Sequence, residues 1–141
     1  MSPAVSELLG RAPVARLATV DRYSRPHLVP VVYVEHHGRL IVPLDSKKKA
    51  VRPDLLKRVR NIKGNPRVCF LVDEYRDDWK KLRFVMVHGS ARLGKWSEKE
   101  LAQARAKLTL KYRQYETVDP GEFCIVITAD NVVTWKNDNR D

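Results

Sequence analysis

Six short stretches rich in Val, Ile and aromatic residues limit what this chain can fold into: 14–20 (VARLATV), 27–34 (HLVPVVYV), 39–44 (RLIVPL), 67–73 (RVCFLVD), 83–93 (RFVMVHGSARL) and 123–135 (FCIVITADNVVTW). Each has the length and β-branched content of a strand. The first three are joined only by DRYSRP and EHHG. Connections of that length make hairpins and are too short for the crossover that a parallel pair requires. The spacing therefore predicts an antiparallel meander for these three. For the whole chain it predicts a mainly β fold, a closed or partly closed antiparallel barrel of six to seven strands with helices inserted.

Three stretches read as helices. Residues 4–9 form a short one that Gly10 stops. Residues 53–62 form a second, with Pro53 suited to a first turn and Gly64, Asn65 and Pro66 ending it. The third lies near 97–116, where Ser97 and Glu100 have capping-box spacing and Leu101, Ala104, Leu108, Tyr112 and Tyr115 recur on one face. With 141 residues, 43% of them hydrophobic, and no repeat or linker, residues 1–141 read as one domain around one core.

The longest uncharged apolar run, LVPVVYV at 28–34, is far shorter than the ~20 residues of a membrane helix. The N-terminal stretch MSPAVSELLGRAPVARLATV lacks the basic start, apolar stretch and cleavage site of a signal peptide, so a cytoplasmic protein is expected. Cys69 and Cys124 each sit inside an apolar run, where a small buried thiol fits better than a disulfide or a nucleophile.

Charge is distributed unevenly. Residues 47–67 hold nine Lys or Arg against one acid, Asp54, and so carry +8 of the formal net charge of +10. In DLLKRVRNIK, helical spacing turns Leu55, Leu56, Val59 and Ile62 inward and leaves Lys57, Arg58, Arg60 and Lys63 in water. Clustered charge with a pI near 9.9 is also the footprint of a nucleic-acid binder. Against that, the segment has no aromatic side chain for base stacking and no recognition-helix motif. A third use is local: Lys47, Lys48 and Lys49 follow a strand directly, and three crowded ammonium groups suit a terminal phosphate. On spacing alone all three uses stay open.

In the 83–93 stretch, Val85, Val87, Gly89, Ala91 and Leu93 form an aliphatic face, and Phe84, Met86, His88, Ser90 and Arg92 a mixed one. The mixed face meets either solvent or a cofactor and a partner chain. No Ser/His/Asp constellation and no metal-ligand spacing stands out. His36 and His37 fall in a predicted surface turn, and His27 and His88 in strands, so no catalytic residue and no metal ligand is assigned. Trp79 and Trp135 read as rim or core aromatics or as stacking partners for a flat ring, and Asp77 and Asp78 as an exposed turn.

The succession VARLATVDRYSRPHLVPVVYV, GRLIVPLDSKKKA, LLKRVRNIKGNPRVCFLVDEYRDDWKKLRFVMVHGSARL resembles the flavin- and deazaflavin-dependent oxidoreductases that share a split β-barrel with pyridoxamine 5'-phosphate oxidase. Within that group it is most similar to the small deazaflavin-dependent class, in which a stretch like DEYRDDW follows the NPRV strand. The resemblance implies an FMN-binding type of split barrel, a homodimer with two cofactor sites at its interface, and hydride transfer to a small-molecule substrate. The cofactor it implies is FMN or, alternatively, a deazaflavin coenzyme.

By the same resemblance His27, Leu28, Val29, Pro30 and Val31 run beside the ring, and Val42 and Pro43 touch the ribityl chain. Lys47 and Lys48, with Lys49 beside them, hold the terminal phosphate, and Phe84 and Trp79 lie near the cofactor. Arg52, Lys57 and Arg58 suit the anionic tail of a deazaflavin. His27 and Val32 stand where true pyridoxamine 5'-phosphate oxidases carry Arg and Lys, Lys47 and Lys48 replace an Arg-Lys pair, and the chain ends TWKNDNRD without their arginine motif. These departures point away from oxidation of the vitamin. The alternative from a different class is a barrel that stores a flavin, or binds nucleic acid or another polyanion, without turnover.

Overall fold

The computed structural model describes residues 1–44, 52 and 55–137. In chain order these form α1 (Pro3–Arg11), β1 (Ala15–Val20), β2 (Pro26–Val31), β3 (Val34–His36), β4 (Arg39–Pro43) and α2 (Lys57–Gly64). Then come β5 (Arg67–Glu74), β6 (Arg83–Lys95), α3 (Ala102–Lys111) and β7 (Phe123–Lys136). The fold is mainly β, as the spacing predicts. Seven strands make one antiparallel sheet in the order β2-β1-β5-β6-β7-β4-β3.

The two ends of that order, β2 and β3, are consecutive in sequence and separated only by Val32 and Tyr33. Three Cα steps reach at most about 11 Å, so the sheet must curl until its edges meet. The expected strand 27–34 is therefore a corner rather than one strand. Its first part pairs with β1 from Pro26 to Val31, and its last part with β4 from Val34 to His36. The predicted meander is corrected to two hairpins, β1–β2 and β3–β4, with β4 lying against β7 instead of β2. Extending the β3–β4 register would set Val32 opposite Pro43, which has no N–H to donate, so the ladder stops there.

Side chains of α3 take over where the ladder ends. The buried Tyr33 N–H donates to the Tyr112 hydroxyl (3.2 Å), which itself donates to the Pro13 carbonyl (2.9 Å). The Tyr33 carbonyl accepts from the Lys111 ammonium (3.1 Å), and the Tyr33 hydroxyl donates to the Leu9 carbonyl of α1 (2.6 Å). Burial pushes the Lys111 ammonium down to about 8. The Tyr33 ring meets Phe70 edge-on at 4.7 Å. Both backbone polar groups of the buried Tyr33 have partners, which is the condition for burying them.

Alternation along the strands fills the barrel with Leu17, Phe70, Val72, Val85, Val87, Ile125 and Ile127, while α1 adds Leu8 and Leu9 and α2 adds Val59 and Ile62. The predicted stripe of Leu101, Ala104, Leu108, Tyr112 and Tyr115 packs outside the barrel on Val34, Ile41, Cys124 and Val126. Its helix is shorter than 97–116, with 3-10 turns at Lys99–Leu101 and Arg113–Glu116 on either side. The capping box does not form. Glu100 pairs instead with Arg92 (2.8 Å) and Arg39 (3.2 Å), and Glu98 accepts the Lys95 N–H (2.7 Å). α2 starts later than predicted, at Lys57, and Pro53 lies outside the described residues. At Gly89, where β6 and β7 shift register, an added Cβ would lie 2.2 Å from the Thr128 carbonyl oxygen.

Glu74, at the end of β5, ties α1 to β6. Its carboxylate accepts from the guanidinium of Arg11 and from Arg83 Nε (2.7 Å). The Arg11 hydrogen bond, followed by that from Arg83, holds the carboxyl at about 2. A carboxyl held low stabilises the fold above its unfolded value near 4.5, and that stability disappears as pH falls from there towards 2. Urea unfolding at successive pH values should therefore show a loss of about 1–2 kcal/mol over that window, reduced by solvent screening, and Glu74→Gln should flatten it. Tyr112→Phe strands the Tyr33 N–H and should lower unfolding free energy by about 1–3 kcal/mol, with exposed Thr109→Ala as an unaffected control.

Candidate functional site

The outer surface of the curled sheet divides into two parts. α3 covers the part made by β3, β4 and the start of β7. The other part, across β2, β1, β5, β6 and the end of β7, has no covering element among the described residues. Register assembles it in rows: Leu28, Ala18, Cys69, His88 and Asn131 form one, and Pro30, Arg16, Leu71, Met86 and Val133 the next. A third row holds Asp73, Phe84 and Trp135, the two rings nearly parallel with centroids 6.0 Å apart. Leu28 is 65% exposed and Trp135 43%. The face carries the ion pair of Arg16 and Asp73 at 3.7 Å and, at the start of β5, the exposed Arg67. Such a broad apolar surface marks a place where something binds.

β2 borders this face as the first strand of the sheet order. Its inner flank is laddered to β1, so alternate N–H and C=O groups along its other flank point away from the sheet. Pro26 and Pro30 interrupt that flank, as suits an edge strand. His27, Val29 and Val31 turn towards the barrel, and Leu28 and Pro30 outward. Val42 is 1% exposed and its side chain belongs to the core, and Pro43 is buried too. Because β3 pairs with β4 only over Arg39–Ile41 and the Val42 peptide groups bond to β7, the Pro43 carbonyl is what is left unladdered on that side. Contact with a ligand there is a matter of backbone rather than side chain.

Among the other candidates, Phe84 lies on the open face with Trp135. Trp79 sits in a 3-10 turn (Trp79–Lys81) and is 72% exposed. Lys47, Lys48 and Lys49 lie outside the described residues. The mixed face expected of residues 83–93 is the open one: Phe84, Met86 and His88 face outward, while Val85 and Val87 are buried. Among the described residues no group of three or more His, Cys, Asp or Glu is arranged to hold a metal. No helix among them is long and apolar enough to cross a membrane.

His36 corrects an expectation. It is not in an exposed turn but in β3, 4% exposed, with its ring stacked on His37 at 3.9 Å. The reason is turn length: His36 pairs with Arg39, so only His37 and Gly38, both at positive φ, make the turn. Burial, then the positive charge of Lys107, lowers the His36 pKa. Burial also raises the thiols of Cys69 and Cys124, the latter to about 12, so neither is an activated nucleophile. One cluster escaped the sequence reading: Arg11, Arg76, Lys80, Lys81, Arg83 and Lys136 meet around Glu74, brought together by tertiary structure alone.

Comparison with known proteins follows from this geometry. A conserved hypothetical protein from Mycobacterium tuberculosis has a similar structure, with a TM-score of 0.73 at 20% identity, over 96% of this chain and 85% of that one. A heme storage protein from Vibrio cholerae gives 0.69 at 15% identity, over 96% and 93% of the two chains. A FAD-binding protein from Mesorhizobium loti gives 0.69 at 19% identity, over 95% and 92%. No curated protein matches the chain. Identities this low carry the fold alone, but a family model described as pyridoxamine 5'-phosphate oxidase matches residues 1–136. With a match over nearly its whole length, the chain belongs to the pyridoxamine 5'-phosphate oxidase family.

Proposed function

We propose that the protein is an oxidoreductase that binds FMN, or alternatively a deazaflavin coenzyme, between two copies of the chain. The observation that carries this reading is the open half of the sheet beside the edge strand β2. A flat, largely apolar ring with a polar edge needs an apolar wall and backbone hydrogen-bond partners next to it. Leu28, Met86 and Phe84 supply the first, and the outward backbone flank of β2 supplies the second. The departures at His27 and Val32 argue against the vitamin as substrate.

A bound flavin or deazaflavin supplies hydride transfer; the chain supplies position and exclusion of water. In this reading the β2 backbone orients the ring edge, and Val42 with the unladdered carbonyl of Pro43 flanks the ribityl chain. Lys47 and Lys48, with Lys49, hold the terminal phosphate as charge-assisted donors. Trp135, beside Phe84 on the open face, offers an exposed aromatic ring there, and the family resemblance adds Trp79. A second copy of the chain, laid on the rows of Leu28, Leu71, Met86 and Val133, covers the apolar area that water otherwise meets.

The test is a titration of the purified protein with FMN and, separately, with the deazaflavin, followed by absorbance, with molecular mass read by sedimentation. A dimer that binds one of the two is expected. Lys47→Ala with Lys48→Ala should weaken binding at least tenfold, equivalent to about 1.4 kcal/mol, without changing the mass. Leu71→Arg should give a monomer that no longer binds. Binding of neither cofactor by the wild type overturns the reading, and a bound flavin that no reductant and acceptor pair turns over makes the protein a storage barrel.

A further inference from the structure

The ends of β5 and β7 and the start of β6 frame a cationic pocket that the flavin reading leaves unused. It encloses about 310 Å³. Arg11, Arg76 and Arg83 line it with Lys80, Lys81 and Lys136, against a single acid, Glu74, a net charge of 6 − 1 = +5. Glu74 is already occupied by Arg11, by Arg83 at 2.7 Å and by Arg76 at 3.8 Å. The ammonium groups of Lys80, Lys81 and Lys136 have no carboxylate partner among the described residues.

Of the other acids close to the pocket in sequence, Asp73 and Asp78 are engaged elsewhere, and Asp77 is exposed with no ion pair among the described residues. Asp73 pairs with Arg16 at 3.7 Å, and the Asp78 carboxylate accepts the Lys80 N–H at 3.1 Å. That second bond also fixes the turn carrying the lysines. Lys81 N–H donates to the Asp78 carbonyl (3.1 Å), and Asn137, just past β7, donates from its side chain to the Trp79 carbonyl (2.7 Å) and from its backbone to Leu82 (2.9 Å). The backbone of the turn is thus fixed, and six cations gathered around one carboxylate repel one another. An anion of two or more charges relieves that repulsion, and guanidinium forks match phosphate oxygens.

We propose that this pocket is a binding site for a diphosphate group, either as a free polyphosphate or as part of a nucleotide. Its volume suits a small ligand and not a macromolecule. It lies at the Lys136 end of β7, whereas β4, which leads into the expected flavin phosphate anchor, ends with Pro43 beside Cys124 at the start of that strand. Trp79, adjacent to Lys80 and 72% exposed, stands where the base of a nucleotide can stack.

Calorimetric titration of the whole protein at low salt, with inorganic pyrophosphate in one arm and ADP in the other, tests the proposal. Pyrophosphate is expected to bind, and Lys80→Ala with Lys81→Ala, or Lys136→Ala, to weaken it at least tenfold with melting temperature unchanged. Lys47→Ala with Lys48→Ala should leave it as it is. Tighter binding of ADP that Trp79→Ala removes identifies a nucleotide; equal affinities identify the diphosphate alone. No binding in either arm, binding that survives the pocket substitutions, equal competition by citrate at matched ionic strength, or displacement by FMN overturns the proposal.

Discussion

The backbone of Tyr33 is where this barrel closes. A strand that began against β1 leaves it after Val31 and joins β4 from Val34, so two residues carry the chain between the two ends of the sheet. Tyr33 falls opposite Val42, whose own peptide groups bond to β7, so the peptide groups of Tyr33 point away from β4. Tyr112 and Lys111 replace the missing partners, and the Tyr33 hydroxyl reaches back to Leu9. One corner thus couples α1, α3 and both sheet edges. It also explains why α3 sits over β3, β4 and the start of β7: the helix follows its anchoring side chains.

That placement leaves the rest of the outer surface open. The same register that buries Val85 and Val87 turns Phe84 and Met86 outward beside Leu28 and Leu71. A flat apolar face bordered by an edge strand is therefore a consequence of how the barrel closes and not an independent feature. In the proposed function the face serves twice, as a wall for the ring and as the contact between copies. The cationic pocket at the far end of β7 follows from a different constraint, the convergence of three chain segments on the one carboxylate of Glu74.

Much of this was legible in the sequence where local chemistry decides the outcome. The expected strands 67–73 and 83–93 are β5 and β6 to within two residues, and the helical stripe from Leu101 to Tyr115 is buried as its spacing requires. The corner was not legible, because every residue from Leu28 to Val34 is apolar and periodicity carries no mark of a change of partner. His36 was misplaced because EHHG reads as a four-residue turn, while the pairing of His36 with Arg39 tightens it to two. The pocket was invisible for a similar reason: Arg11 and Glu74 are separated by 63 positions. The lysines that carry most of the cofactor argument, Lys47 to Lys49, were singled out from sequence and lie outside the described residues.

The central claim is that the edge created by closing the barrel is the edge that receives a flavin. Amide hydrogen exchange, followed peptide by peptide with and without saturating FMN or deazaflavin, tests it most directly. The account predicts slowed exchange in the β2 peptide at Leu28, whose N–H the β1 ladder leaves free, Pro26 and Pro30 having no amide hydrogen, with the Tyr33 corner protected in both states. Unchanged exchange in β2 with both cofactors, or protection confined to another edge of the sheet, contradicts it.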